Sequence, residues 1–161
     1  MIRIDFQLQP SDLIDKIKYF WELSAEKIIE INKNPDNKTP VFTVDGKYTS
    51  RNWTEWTRGF QYGSSLLQFD AAGNEYFLES ARKAIVENMI THISHTGVHD
   101  HAFNNLSTFG NLLRLMNEGK IPFNEWEKNF CQLALKISAA VQASRWTPIK
   151  DGGYIYSFNG P

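Results

Sequence analysis

The stretch GVHDHAFNN, residues 97–105, sets a carboxylate between two imidazoles, His99-Asp100-His101, and the remaining histidines, His92 and His95, lie just upstream. Three kinds of chemistry fit these residue types. Imidazoles and carboxylates are metal ligands, and His92 and His95 are spaced to share a helix face. Against a metal centre, His99 and His101 in a loop do not easily converge with His92, no cysteine joins them, and no HExxH-like pairing at i, i+4 is present. The cluster also reads as a solvated polar junction between helices. The third reading is a proton-transfer site: an aspartate whose protonation the flanking imidazoles set, with Gly97 freeing the backbone to turn. The following Phe103-Asn104-Asn105 adds a ring and two amides that suit a hydroxyl-rich ligand. Whether Asp100 would serve as acid, base or hydrogen-bond partner is open at this level.

The elements that must position this cluster are helical. From Ser11, a cap, to Lys33, the residues Leu13, Ile17, Phe20, Trp21, Ser24, Ile28 and Ile31 recur at helical spacing until Asn34-Pro35 stops them. Residues 35–49 form a loop in which Asp45-Gly46 suits a short hairpin. A second helix is expected over Ser50 to Phe69, with Trp53, Trp56, Phe60, Gly63 and Leu67 on one face and Gly63 admitting a close neighbour. After a turn at Ala72-Gly73-Asn74, a third spans about Glu75 to Ser94, burying Leu78, Ala81, Ile85, Met89 and Ile93, with Gly97 as its stop. A fourth carries Leu106, Phe109, Leu113 and Met116 and finishes at Gly119. A fifth starts at a capping box, Asn124 with Glu127, and carries Trp126, Phe130, Leu133, Ile137 and Val141 as far as about Trp146. The tail GGYIYSFNG alternates apolar and polar residues, as an extended segment at the edge of a cleft does. The fold expected is all-α, one domain over residues 1–161, with consecutive helices antiparallel.

Composition narrows the partners. Seventeen basic residues against eighteen acidic ones give a net charge of −1, too little positive field to attract a phosphate backbone, so nucleic acid is not expected. No segment reaches the roughly 18 apolar residues of a membrane span, and MIRIDFQLQP lacks the apolar run of a signal peptide. The single cysteine, Cys131, sits among apolar neighbours as a core thiol in a reducing compartment, so a cytoplasmic protein is expected. Five tryptophans exceed what packing alone demands and suit a site that stacks flat or sugar-like ligands.

Three motifs occur in a telling order: Asn52-Trp53-Thr54-Glu55-Trp56-Thr57-Arg58-Gly59-Phe60 followed by Gly63, then FDAAGNEYFLESARK, then Val98-His99-Asp100-His101-Ala102-Phe103. Together they resemble the N-terminal portion of the six-hairpin glycosidases related to unsaturated glucuronyl (uronyl) hydrolases, over essentially the whole chain. Ala102 departs from a position where glycine is more usual.

The resemblance implies an (α/α)6 toroid of twelve helices, of which about five are present here, with a pocket lined by helix-connecting loops. It implies removal of an unsaturated uronic acid from an oligosaccharide by hydration of its C4–C5 double bond, without metal or organic cofactor. A carboxylic acid protonates the alkene, water adds at the adjacent carbon, and the hemiketal collapses. By the same likeness Asp100 is the first of two important aspartates, His99 an adjacent substrate contact, Trp56 a stacking platform, and Tyr154 and Phe158 aromatics of the pocket wall. Arg58 suits bidentate pairing with a substrate carboxylate, or else faces solvent from its helix. The second aspartate is expected beyond Pro161, and five helices cannot close a twelve-helix ring. The open helical face is therefore expected to be covered by a missing C-terminal part or by a second copy of the chain. A catalytically silent helical module that binds carbohydrate or self-assembles is the alternative.

Overall fold

In the computed structural model, residues 7–33, 39–51, 55–97 and 99–158 are described. Trp53, the Asn34-Pro35 stop, Val98 and residues 159–161 lie outside them. A turn of 3-10 helix, Pro10–Leu13, leads into α1, Ile14–Asn32. The turn is closed by Asp12, whose Oδ2 accepts from the Gln9 N–H at 2.9 Å, a part the sequence assigns to Ser11. The antiparallel strands β1, Thr39–Val44, and β2, Lys47–Arg51, follow, turning at Asp45 (φ 51°) and Gly46 (φ 74°), the left-handed pair that tight hairpins require. Because β2 takes up residues 47–51, the next helix starts later than its apolar spacing suggests: α2 is Thr57–Ala72. Gly73 caps it in the left-handed region (φ 67°), and Asn74 starts α3, its side chain accepting from the Tyr76 N–H.

Helix α3, Glu75–Ala84, runs on through a wide π-helical turn, Ile85–Met89, and a 3-10 turn, Ile90–His92. Helix α4 begins as a long π-helical stretch, Ala102–Gly110, and continues as regular α-helix, Asn111–Asn117. Helix α5 is Glu125–Ser144, and a second hairpin, β3 (Trp146–Ile149) with β4 (Gly152–Ile155), leads into the tail. The protein is all-α, with five helices and two small hairpins among the described residues.

Helices α2 and α4 run parallel and nearly touch. A Cβ on Gly59 would lie 2.2 Å from the Phe103 carbonyl oxygen, and one on Gly63 would lie 2.5 Å from that of Ser107. Further along, Asp70 binds Arg114, in the same direction on both helices. Helix α1 crosses α2 in the opposite sense, Asn32 donating to Ser65 and Gln68 to the Trp21 carbonyl. Helix α5 is likewise antiparallel to α4, Ser138 meeting Asn105 and Phe130 packing on Phe109.

Between these layers Leu66, Ile85, Met89, Phe109, Leu115 and Cys131 are fully excluded from water. At about 25 cal/mol per Å² of apolar surface removed from water, this cluster is the main force holding the helices together. The buried stripe of α3 follows the expected one through Leu78, Ala81, Ile85 and Met89, while Ile93, past the π-helical turn, is only partly buried. Those of α2, α4 and α5 differ. Helix α2 buries Tyr62, Leu66 and Phe69 and leaves Trp56, Phe60 and Leu67 more than two-fifths exposed. In α4 the i→i+5 bonding of the π stretch turns the chain more slowly than 3.6-residue spacing assumes. Leu106 is thereby exposed, while Leu112 and Leu115 join Phe109 and Met116 in the core. Helix α5 approaches α4 on its small side, Cys131, Ala134 and Ser138, so that Trp126 (67% exposed) and Leu133 face outward. Among the described residues, no helix is long and apolar enough to cross a membrane.

Candidate functional site

The parallel packing of α2 and α4 puts their N-terminal ends side by side. Trp56, the residue before α2, lies 5.7 Å from the ring of Phe103 and 5.8 Å from that of Phe60, and Phe60 and Phe103 are 5.5 Å apart. All three rings are partly exposed, which gives an aromatic platform of the kind that stacks a ligand ring. On one flank a cleft of about 310 Å³ runs between α1, the first hairpin and α2. Trp56, Phe60, Tyr48, Asn32 and Gln61 are among the residues that line it.

Asp100 opens α4. Its main-chain carbonyl accepts from the Asn104 N–H at 3.3 Å, and its side chain is 13% exposed, with Oδ1 3.7 Å from His99 Nε2. His99 is tied to the tail: its N–H donates to the Ser157 carbonyl at 3.0 Å, its Nδ1 lies 3.1 Å from the same oxygen, and its ring meets Phe158 edge-on at 5.7 Å. The loop from α3 and the segment after β4 therefore converge on the start of α4.

Other expected residues are placed differently. Asn104 is buried, and its Oδ1 accepts from the Gly59 N–H at 2.9 Å, so its amide oxygen joins helix to helix. Arg58 is buried (6% exposed) where a solvent-facing position is one expectation; its guanidinium packs over the Tyr62 ring and one nitrogen is 3.5 Å from the Tyr62 hydroxyl. Tyr154 sits within β4 opposite Thr147 and is half-exposed. Gly97 is not in the left-handed region. A Cβ there would come within 2.7 Å of the His95 ring, a side chain that can give way.

A polar knot surrounds His101. His101 is buried, its Nε2 donating to the His95 carbonyl and its Nδ1 2.9 Å from Ser138 Oγ, which also accepts from Asn105 Nδ2 at 3.0 Å. Both ring nitrogens are thus engaged by the fold. Burial holds the imidazole below its ordinary pKa and keeps it neutral. Among the described residues no group of three or more histidine, cysteine, aspartate or glutamate side chains is gathered to hold a metal ion.

Arg145 escaped the sequence reading. It follows α5, is 1% exposed, and donates to the carbonyls of Thr96, Tyr156 and Ser157, with its plane 4.3 Å from the Tyr156 ring. A lone arginine after a helix carries no sequence signal of burial, because its partners are main-chain oxygens, two from the nearby tail and one 49 residues away. Comparison of the chain with protein-family models, with curated proteins and with solved structures gives no match.

Proposed function

We propose that this chain carries part of the substrate site of a glycoside hydrolase of the unsaturated uronyl type. The observation that carries the reading is the juxtaposition of a half-exposed aromatic platform, Trp56 with Phe103, and a largely buried carboxylate, Asp100, at one end of two parallel helices. An aromatic face stacks a sugar ring, and a carboxylate shielded from bulk water can exchange a proton with that ring. The chemistry proposed is hydration of the C4–C5 double bond: a proton adds to C4, water supplies hydroxide to C5, and the hemiketal opens to release the remaining sugar. No cofactor takes part. Asp100 is the acid or the partner of a second carboxylate.

The same reading places the helices in an (α/α)6 toroid. Its support is the packing, in which α2 and α4 are parallel neighbours and each has an antiparallel companion, as inner helices of consecutive hairpins do. A reducing, cytoplasmic setting goes with the single buried thiol, Cys131. The test is incubation of the intact gene product with an unsaturated uronyl disaccharide, following loss of the alkene's ultraviolet absorbance. Absence of turnover across unsaturated di- and tetrasaccharides sinks the proposal.

A specific observation favours a second reading, self-assembly. Ile14, Ile17, Phe20 and Leu23 on α1 and Trp126 and Leu133 on α5 are all well exposed, an apolar display that normally marks an interface. Sedimentation equilibrium decides it: a concentration-independent monomer removes this reading.

A further inference from the structure

Arg145 is a buried cation whose three donor directions all end on main-chain oxygens. Nε donates to Tyr156 O at 3.0 Å, Nη2 to Ser157 O at 2.7 Å, and Nη1 to Thr96 O, while the Tyr156 N–H donates back to the Arg145 carbonyl at 3.3 Å. An arginine does not lose its proton inside a protein, so this fork persists at any working pH. Its effect is to fasten the loop after α3 and the tail after β4 to the end of α5.

One of those oxygens has a second task. Ser157 O receives Arg145 Nη2, the His99 N–H at 3.0 Å and the His99 ring through Nδ1 at 3.1 Å. A carbonyl oxygen only accepts, so Nδ1 facing it must carry the hydrogen. In the neutral ring Nε2 then holds the lone pair, and Nε2 is the nitrogen 3.7 Å from Asp100 Oδ1.

We propose that Arg145 is a positioning residue for the His99-Asp100 pair: by holding the Ser157 carbonyl it fixes His99 as the Nδ1–H tautomer and aims Nε2 at Asp100. Nε2, at 3.7 Å, is then the ring nitrogen that faces the Asp100 carboxyl group. The catalytic value of this arrangement rests on the hydrolase reading above. There a proton passes from the Asp100 carboxyl group to C4 of the alkene and the water that adds to C5 gives one back, with the His99 ring held beside the carboxyl group. The tautomer itself does not depend on that reading.

The experiment is long-range 1H–15N correlation on the 15N-histidine-labelled chain, at a pH above the titration of the rings. His99 is expected to show the Nδ1–H pattern and His101, whose Nε2 faces the His95 carbonyl, the opposite one, an internal reference in the same spectrum. In Arg145→Gln, His99 is expected to relax toward the Nε2–H form that water favours while His101 stays unchanged. Arg145→Lys keeps the charge without the fork and is expected to give a mixture. It serves if the glutamine variant does not fold. Arg82→Gln, which loosens α3 from α5, is expected to leave His99 as it is.

An Nε2–H ring at His99 in the unaltered chain overturns the proposal, as does a pure Nδ1–H ring in the folded arginine variants. In the intact product, Arg145→Lys is expected to lower kcat with KM little changed. An enzyme with no turnover but the expected tautomers removes the hydrolase reading alone.

Discussion

The Gly59 N–H donates to Asn104 Oδ1 at 2.9 Å across a helix pair so close that a Cβ at Gly59 would lie 2.3 Å from the Asn104 Cα. The obstacle is backbone, which cannot swing aside as a side chain would. Gly59→Ala is expected to cost about 3 kcal/mol or more, the upper range for overpacking, and to separate Trp56 from Phe103. Denaturant melts measure the loss. A substitution tolerated within about 0.5 kcal/mol contradicts the contact.

Asp100→Asn in the intact product is expected to cut turnover of an unsaturated disaccharide by about 10²- to 10⁴-fold, the usual worth of a positioned proton donor or acceptor. Circular dichroism should be unchanged. An unaltered rate takes Asp100 out of the chemistry.

His101 makes stability depend on pH. Burial lowers its pKa in the folded chain below the ordinary 6.5, so the unfolded chain binds the proton more readily. Its contribution is therefore full above about pH 6.5 and is lost progressively as the pH falls from there toward the depressed folded value. Comparing midpoints of urea unfolding at pH 7.5 and 5.5 reads the effect, and His101→Gln is expected to flatten the difference.

Glu127 grips Arg82 with both oxygens, at 2.9 and 2.8 Å, joining α5 to α3. The pair is mostly buried on the glutamate side, and charge-assisted bonds of this kind are worth about 1.5–3 kcal/mol. Glu127→Gln, which keeps the size but not the charge, is expected to lose part of that and Glu127→Ala most of it, as measured by thermal unfolding.

Cys131 is fully buried and desolvation pushes its thiol up to about 12. In the folded chain it is expected to resist aromatic disulfide reagents at pH 8 and to react once urea unfolds the protein. Prompt labelling of the native chain would place the thiol at the surface instead.

Much of the scaffold was legible because it depends on neighbours in sequence. The stripe of α3, the left-handed Gly73 and Gly119, the Asp45-Gly46 turn and the Asn124 cap each follow from local sterics and hydrogen bonding. Glu127 marks the limit. The spacing from Asn124 suggests a reciprocal capping box, and Asn124 does accept from the Glu127 N–H at 3.0 Å, but the Glu127 carboxylate turns to Arg82, a stronger partner that only the fold supplies. The wet face of α2 is a second limit of spacing alone. Trp56, Phe60 and Leu67 share a helix face, yet a glycine seam can bury the adjacent face by drawing backbones together, and the energy of that approach is invisible to hydrophobic spacing.

By itself the sequence determined helix number and order, the turns, the core thiol and the cluster around Asp100, because periodicity and backbone preference act over a few residues. Only the tertiary structure decided which apolar face stays exposed, that α2 and α4 run parallel, that Asn104 and His101 are spent on the fold, and that Arg145 and His99 meet at the Ser157 carbonyl. Most of those outcomes rest on hydrogen bonds between residues 37 to 58 positions apart, where no local pattern can register them, and even the Arg145 bond to Ser157 spans 12.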